Sequence, residues 1–92
     1  MTNEEIALML QPFAVKHNLE KLILFGSRAQ GCNHDRSDID LAVIGDNYRD
    51  FKYDVNDHAR TLLIFDIVDY SRVSSRLREE IDKYGKLIYS KT

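Results

Sequence analysis

Apolar side chains recur at helical spacing near the start of the chain, at Ile6, Met9, Leu10 and Phe13. Thr2 and Glu5 stand just ahead of them at capping-box separation. An amphipathic helix running to about His17 is predicted, with Pro12 expected to remove a hydrogen bond and kink it. Two short apolar runs follow. Lys21–Phe25 stops at Gly26, and residues 38–44 alternate before Gly45, so both read as strands. Asp46-Asn47 then offers a helix cap, and Tyr48, Phe51, Val55, His58, Ala59 and Leu62 form the stripe of a second long helix. Residues 63–68 are β-branched and aliphatic and predict a third strand. Ser71 is placed to cap a last helix carrying Val73, Leu77 and Ile81, and Gly85 to end it. The predicted order is α-β-α-β-α-β-α, an α+β (α/β-like) fold in which a small mixed sheet is covered by helices. Neither a repeat nor a Pro/Gly/Ser linker divides the chain, so 1–92 is expected to be one domain.

Composition narrows the partners more than it narrows the fold. With 13 basic against 15 acidic residues the formal charge is −2, which speaks against long DNA or RNA as a ligand. Cys32 is the only cysteine, so neither an internal disulfide nor a cysteine-based zinc site is available, and a reducing cytoplasm fits. The acidic opening Met1-Thr2-Asn3-Glu4-Glu5 is unlike a signal peptide, and no apolar run is long enough to span a bilayer. A soluble protein without a membrane partner is expected. A domain this small is marginal alone, so a homo- or hetero-oligomer is a reasonable prior.

The chemistry concentrates between the first two predicted strands. In Leu24-Phe25-Gly26-Ser27-Arg28-Ala29 a strand ends at a glycine and a serine opens a short helix. Gly26 lets backbone approach a phosphate, the free N–H groups after it favour an anion, and the Ser27 hydroxyl adds a donor. Taken alone, Gly-Ser after a strand is usually just a turn. Arg28 can reach phosphate as well, or stand as a surface charge. In Ser37-Asp38-Ile39-Asp40-Leu41 the two carboxylates are two apart in an extended run and point to the same face. The apolar residues around them imply a packed strand, where an unpaired carboxylate pair is costly. A divalent cation resolves the conflict, and hard oxygen ligands suit Mg²⁺.

A third carboxylate is sought in the strand that follows. Asp66 and Asp69 lie on opposite faces; Asp66 sits inside the apolar run, while Asp69 ends it beside a turn, where a solvated or capping role is expected. If that strand neighbours the second at roughly 4.8 Å, Asp66 joins Asp38 and Asp40 around two ions held ~3.5–4 Å apart. His17, His34 and His58 are read as structural or solvated residues, Cys32 as a small packing residue, and the five tyrosines as core-edge groups.

Gly26-Ser27-x-Ala29-x-Gly31, a spacer, Ser37-Asp38-x-Asp40-Leu41 and a later Asp66 together resemble the polymerase-β-type nucleotidyltransferase superfamily. The length, the run at 66–70 and the closing stretch at 78–89 are similar to its minimal nucleotidyltransferases (MNT). That group includes MntA-like antitoxins paired with helical HEPN-type toxins. The resemblance implies that Asp38 and Asp40 bridge two Mg²⁺ ions, that Gly26 and Ser27 hold the triphosphate, and that Asp66 binds the ion nearest the acceptor hydroxyl. It implies transfer of a nucleoside monophosphate, AMP from ATP, to a hydroxyl on a HEPN-type toxin protein. Larger members of the superfamily carry added domains that grip the acceptor. This chain is expected to take its acceptor site from another molecule. Two other readings fit the same motifs: the nucleotidyl subunit of a transferase for aminoglycoside-like small molecules, and a non-catalytic nucleotide-binding antitoxin that works by steric cover.

Overall fold

A computed structural model describes residues 1–92. Helix α1 spans Asn3–Lys16, with the predicted capping box formed: Glu5 N donates to Thr2 Oγ1 at 3.1 Å and Thr2 N to Glu5 Oε1 at 2.8 Å. Pro12 does not break it. The helix continues through the proline to Lys16 while Ile6, Leu10 and Ala14 stay buried at successive turns. Strand β1 (Lys21–Phe25) leads into the short helix α2 (Gly26–Gln30), and a loop returns the chain as β2 (Ile39–Ile44). Helix α3 (Tyr48–His58) crosses over to β3 (Phe65–Asp69). A 3₁₀ turn at Tyr70–Arg72, helix α4 (Ser75–Tyr84) and strand β4 (Lys86–Ser90) complete the chain.

The four strands form one mixed sheet in the order β3-β2-β1-β4. β1 runs antiparallel to β2 and β4, and β2 runs parallel to β3, as the long helical crossover through α3 requires. Alternation along the strands divides the core. Leu22, Leu24, Ile39, Leu41, Val43 and Ile67 pack against Ile6, Leu10, Phe51 and Val55 of α1 and α3. On the other face Phe25 and Ala42 pack with Ile81 of α4, and Ile23, Val68 and Leu77 close around them.

Between α1 and α3, Asp54 accepts from Lys16 Nζ at 2.9 Å and pairs with His17 Nε2 at 2.7 Å and His58 Nδ1 at 2.8 Å. Those bonds, His17 first and Lys16 next, hold the Asp54 carboxyl down at about 2. His17 and His58 are therefore structural, as expected. No helix is long and apolar enough to cross a membrane.

The α+β class with a helix-covered mixed sheet is confirmed, and four details of the predicted order are corrected. The last element is a strand: Lys86–Ser90 pairs with the free edge of β1, giving α-β-α-β-α-β-α-β. Helix α3 stops at His58, because Ala59 turns extended at ψ 133°, so Leu62 lies outside the helix and is fully exposed. The third strand starts at Phe65, two residues later than expected. Ser74, not Ser71, caps α4, its hydroxyl accepting from Leu77 N at 3.2 Å. Gly85 ends that helix in an extended conformation, and what demands glycine there is closeness: a Cβ would strike the Ile81 carbonyl oxygen.

Candidate active site

The register of the sheet assembles the site. Phe25, the last residue of β1, lies opposite Asp40, and Asp40 is the parallel neighbour of Asp66. The backbone therefore turns at Gly26 directly beside a carboxylate. Gly26 has φ +73°, and a Cβ there would overlap Asp40 Oδ2, with Asp40 Cγ only 3.0 Å away. No other residue fits that position without moving Asp40. Ser27 follows, half-buried, in the first turn of α2. Asp38 is exposed just ahead of β2, and Asp66 is exposed on β3. Asp69 sits on the opposite face, as parity required, and its Oδ1 accepts from both the backbone N and the hydroxyl of Ser71.

Asp40 is half-buried, and this governs its acidity. Removal from water pushes its carboxyl up to about 6, and the neighbouring charges of Asp66 and Asp38, a hydrogen bond shared with Asp66 and the charge of Glu80 act in the same direction. No Lys or Arg side chain pairs with Asp38, Asp40 or Asp66. Hard oxygen donors thus crowd one end of one sheet face beside a backbone turn that admits no side chain. That set suits a hard divalent cation such as Mg²⁺ and a phosphate together. The carboxylates do not converge on one point at metal-ligand spacing, so holding an ion would draw them inward.

A family model described as polymerase beta, nucleotidyltransferase matches residues 9–92. The chain belongs to this nucleotidyltransferase family. Among solved structures, a toxin–antitoxin complex with AMP-PNP is similar at 26% identity and a TM-score of 0.67, over 98% of this chain and 75% of that one. A variant of the MntA–HpeT toxin–antitoxin matches equally well, at 26% identity and 0.67, over 100% and 76% of the two chains. A Shewanella oneidensis complex of a tri-AMPylated HEPN toxin with its MNT antitoxin matches at 21% identity and 0.55, over 96% and 70%, and speaks for the fold alone. Comparison with curated protein sequences finds no match.

In this nucleotidyltransferase Arg28 does not have the place expected of it. It is 1% exposed, and its guanidinium is turned away from phosphate duty: Nε and Nη2 donate to Ser37 O at 3.0 and 2.9 Å, Nη2 to Asp35 O at 3.2 Å, and Nη1 to Met1 O at 3.0 Å. Arg28 ties the helix after the glycine turn to the loop that ends at Asp38. It holds the two halves of the motif together rather than touching a ligand. Cys32 is also corrected, being exposed rather than packed. Glu80 escaped the sequence reading, because nothing local in α4 marks it; packing of Ile81 onto Phe25 and Ala42 brings its neighbour toward Asp40. A cleft of 310 Å³ between the start of α3 and Asp69, Arg72 lies at the far end of β2 and β3 and contains none of the site carboxylates.

Proposed function

We propose that this chain transfers AMP from ATP to a hydroxyl on a partner protein, a HEPN-type toxin, and so acts as the antitoxin of a pair. The observation that carries the chemistry is the close packing of Gly26 against Asp40, flanked by Asp66: a backbone turn that admits no side chain and an uncompensated carboxylate pair share one wall. The choice of an adenine nucleotide and of a toxin partner is supported by likeness to the toxin–antitoxin complex with AMP-PNP.

In this reading Gly26 and Ser27 hold the triphosphate through backbone N–H groups and a hydroxyl. Asp38, Asp40 and Asp66 would hold Mg²⁺, which when bound would neutralise charge and lower the pKa of a nearby hydroxyl. Asp66, exposed at the edge of the sheet, orients the acceptor hydroxyl and takes its proton. The acceptor oxygen bonds to the α-phosphorus as the bond from that phosphorus to the β-phosphate oxygen breaks. AMP stays on the acceptor, and pyrophosphate leaves. Arg28 keeps Asp38 in place through Ser37 and Asp35.

The test is a transfer assay with Mg²⁺, ATP labelled at the α-phosphate and the co-expressed partner. Label should reach the partner with the native chain and fall by roughly 10³-fold with Asp38→Asn plus Asp40→Asn, a loss of several kcal/mol of transition-state stabilisation. A native chain that transfers nothing while the double variant still protects cells from the partner would replace catalysis by steric cover.

A further inference from the structure

The open end of β3 has the features of a docking strip for the acceptor. Ile39 N donates to Ile64 O at 2.8 Å and Ile39 lies opposite Phe65, so in this parallel ladder residues 64, 66 and 68 bond inward. The backbone groups of Phe65 and Ile67 therefore point to the free edge. At Ile67 the edge is closed, because Tyr48 Oη donates to its carbonyl at 2.9 Å. At Phe65 it is open.

Two large apolar side chains stand bare beside that opening. Ile64 is 67% exposed and Leu62 104% exposed, more than any other large hydrophobic side chain of the protein except Leu8 in the case of Ile64. Ile64 is two residues before Asp66, the spacing that returns a side chain to the same face of an extended chain. The strip is thus continuous with the candidate site through Ile64, and Leu62 stands in the bend that leads into the strand. Glu80, the one acidic group of this cluster not assigned to Mg²⁺, leaves the site end acidic, and no cationic side chain of the protein pairs with it.

We propose that an extended segment of the acceptor protein, basic and apolar in composition, lies along this edge from Leu62 to Asp66. The proposal rests on the transfer reaction described above and adds how its acceptor is chosen. The backbone of the segment pairs with the outward N–H and C=O of Phe65. Its hydroxyl-bearing residue stands across from Asp66, where facing Cβ atoms in a sheet are about 5 Å apart. An apolar residue two positions away then covers Ile64, and a basic residue answers Glu80. Tyr48 marks where the added segment must end.

The test uses the whole chain labelled with ¹⁵N and short synthetic peptides with one central tyrosine. One peptide carries leucine two residues from the tyrosine and an arginine beside it; a second replaces the leucine by serine, a third the arginine by glutamate. Amide shifts and Mg²⁺-dependent transfer of labelled AMP are both followed, for the native chain and for Leu62→Ser with Ile64→Ser, which alters only exposed side chains. The first peptide should shift the amides of residues 62–66 and take up label, and the double variant, the serine peptide and the glutamate peptide should each weaken both by about tenfold. Labelling that the double variant leaves unchanged, with no shifts at 62–66, overturns the docking strip and keeps the transferase. Shifts at 62–66 without label on any peptide support the strip and count against protein-directed transfer. Absence of both effects overturns the strip.

Discussion

Toward α1 and α3 the sheet presents Leu22, Leu24, Ile39, Leu41, Val43 and Ile67, all of them buried. Toward α4 it presents Phe25 and Ala42 under Ile81, and then, on β2 and β3, Asp40 and Asp66. The strands are shared; only the parity differs. A period of two residues lets β2 place Leu41 in a dry core and Asp40 at a carboxylate cluster one position away. Stability and chemistry are thereby separated by the thickness of a sheet. The two faces also respond to acid in opposite ways. Asp54, on the α1 and α3 side, is held down at about 2, so its contribution is present above pH 3.8 and is lost as pH falls toward 2. Asp40 is pushed up to about 6, so the folded chain holds its proton more tightly than the unfolded chain does; stability is lost as pH rises from 3.8 through 6.

Three variants sharpen that contrast. Phe51→Ala opens a void in the fully buried α1 and α3 face and should lower unfolding free energy by about 4 kcal/mol in urea titration. Arg28→Ala leaves the carbonyls of Met1, Asp35 and Ser37 without their donor and should cost about 3 kcal/mol. Its mark beyond stability is local: amide exchange in residues 31–38 should accelerate more than in α1 or α3. Asp40→Asn should act in the other direction, raising stability at pH 8 by about 1 kcal/mol while removing activity, because solvent at this half-buried site screens much of the repulsion it relieves. At pH 4 the gain should vanish. If Asp40→Asn destabilises at pH 8, the two faces do not differ as described.

The site was more legible than the scaffold around it. Gly26 and the aspartates could be found because their spacing in extended runs translates directly into shared faces; parity put Asp66 and Asp69 on opposite faces, and the apolar run around Asp66 chose between them. The end of the chain was not legible in the same way. Residues 86–90 are too few for a clear alternation, and they become β4 because β1 offers an unpaired edge, a fact of the assembled sheet. The end of α3 was overrun because Leu62 continues the helical stripe by spacing, although the backbone has already turned at Ala59. Arg28 looked like a phosphate ligand because an arginine after a glycine turn is near phosphate in sequence. Its burial depends on a loop that folds back over it, which no local pattern announces. Glu80 belongs to the same class, brought to the site by packing of its helical neighbour.

The central claim is that Asp40 and its neighbours form a site for a metal-bound nucleotide. Calorimetric titration with a non-hydrolysable ATP analogue tests it without any partner. The native chain should bind the analogue with Mg²⁺ present and at least about tenfold more weakly without it or with Asp40→Asn, a difference of roughly 1.4 kcal/mol or more. Equal affinity in all three experiments would contradict the account.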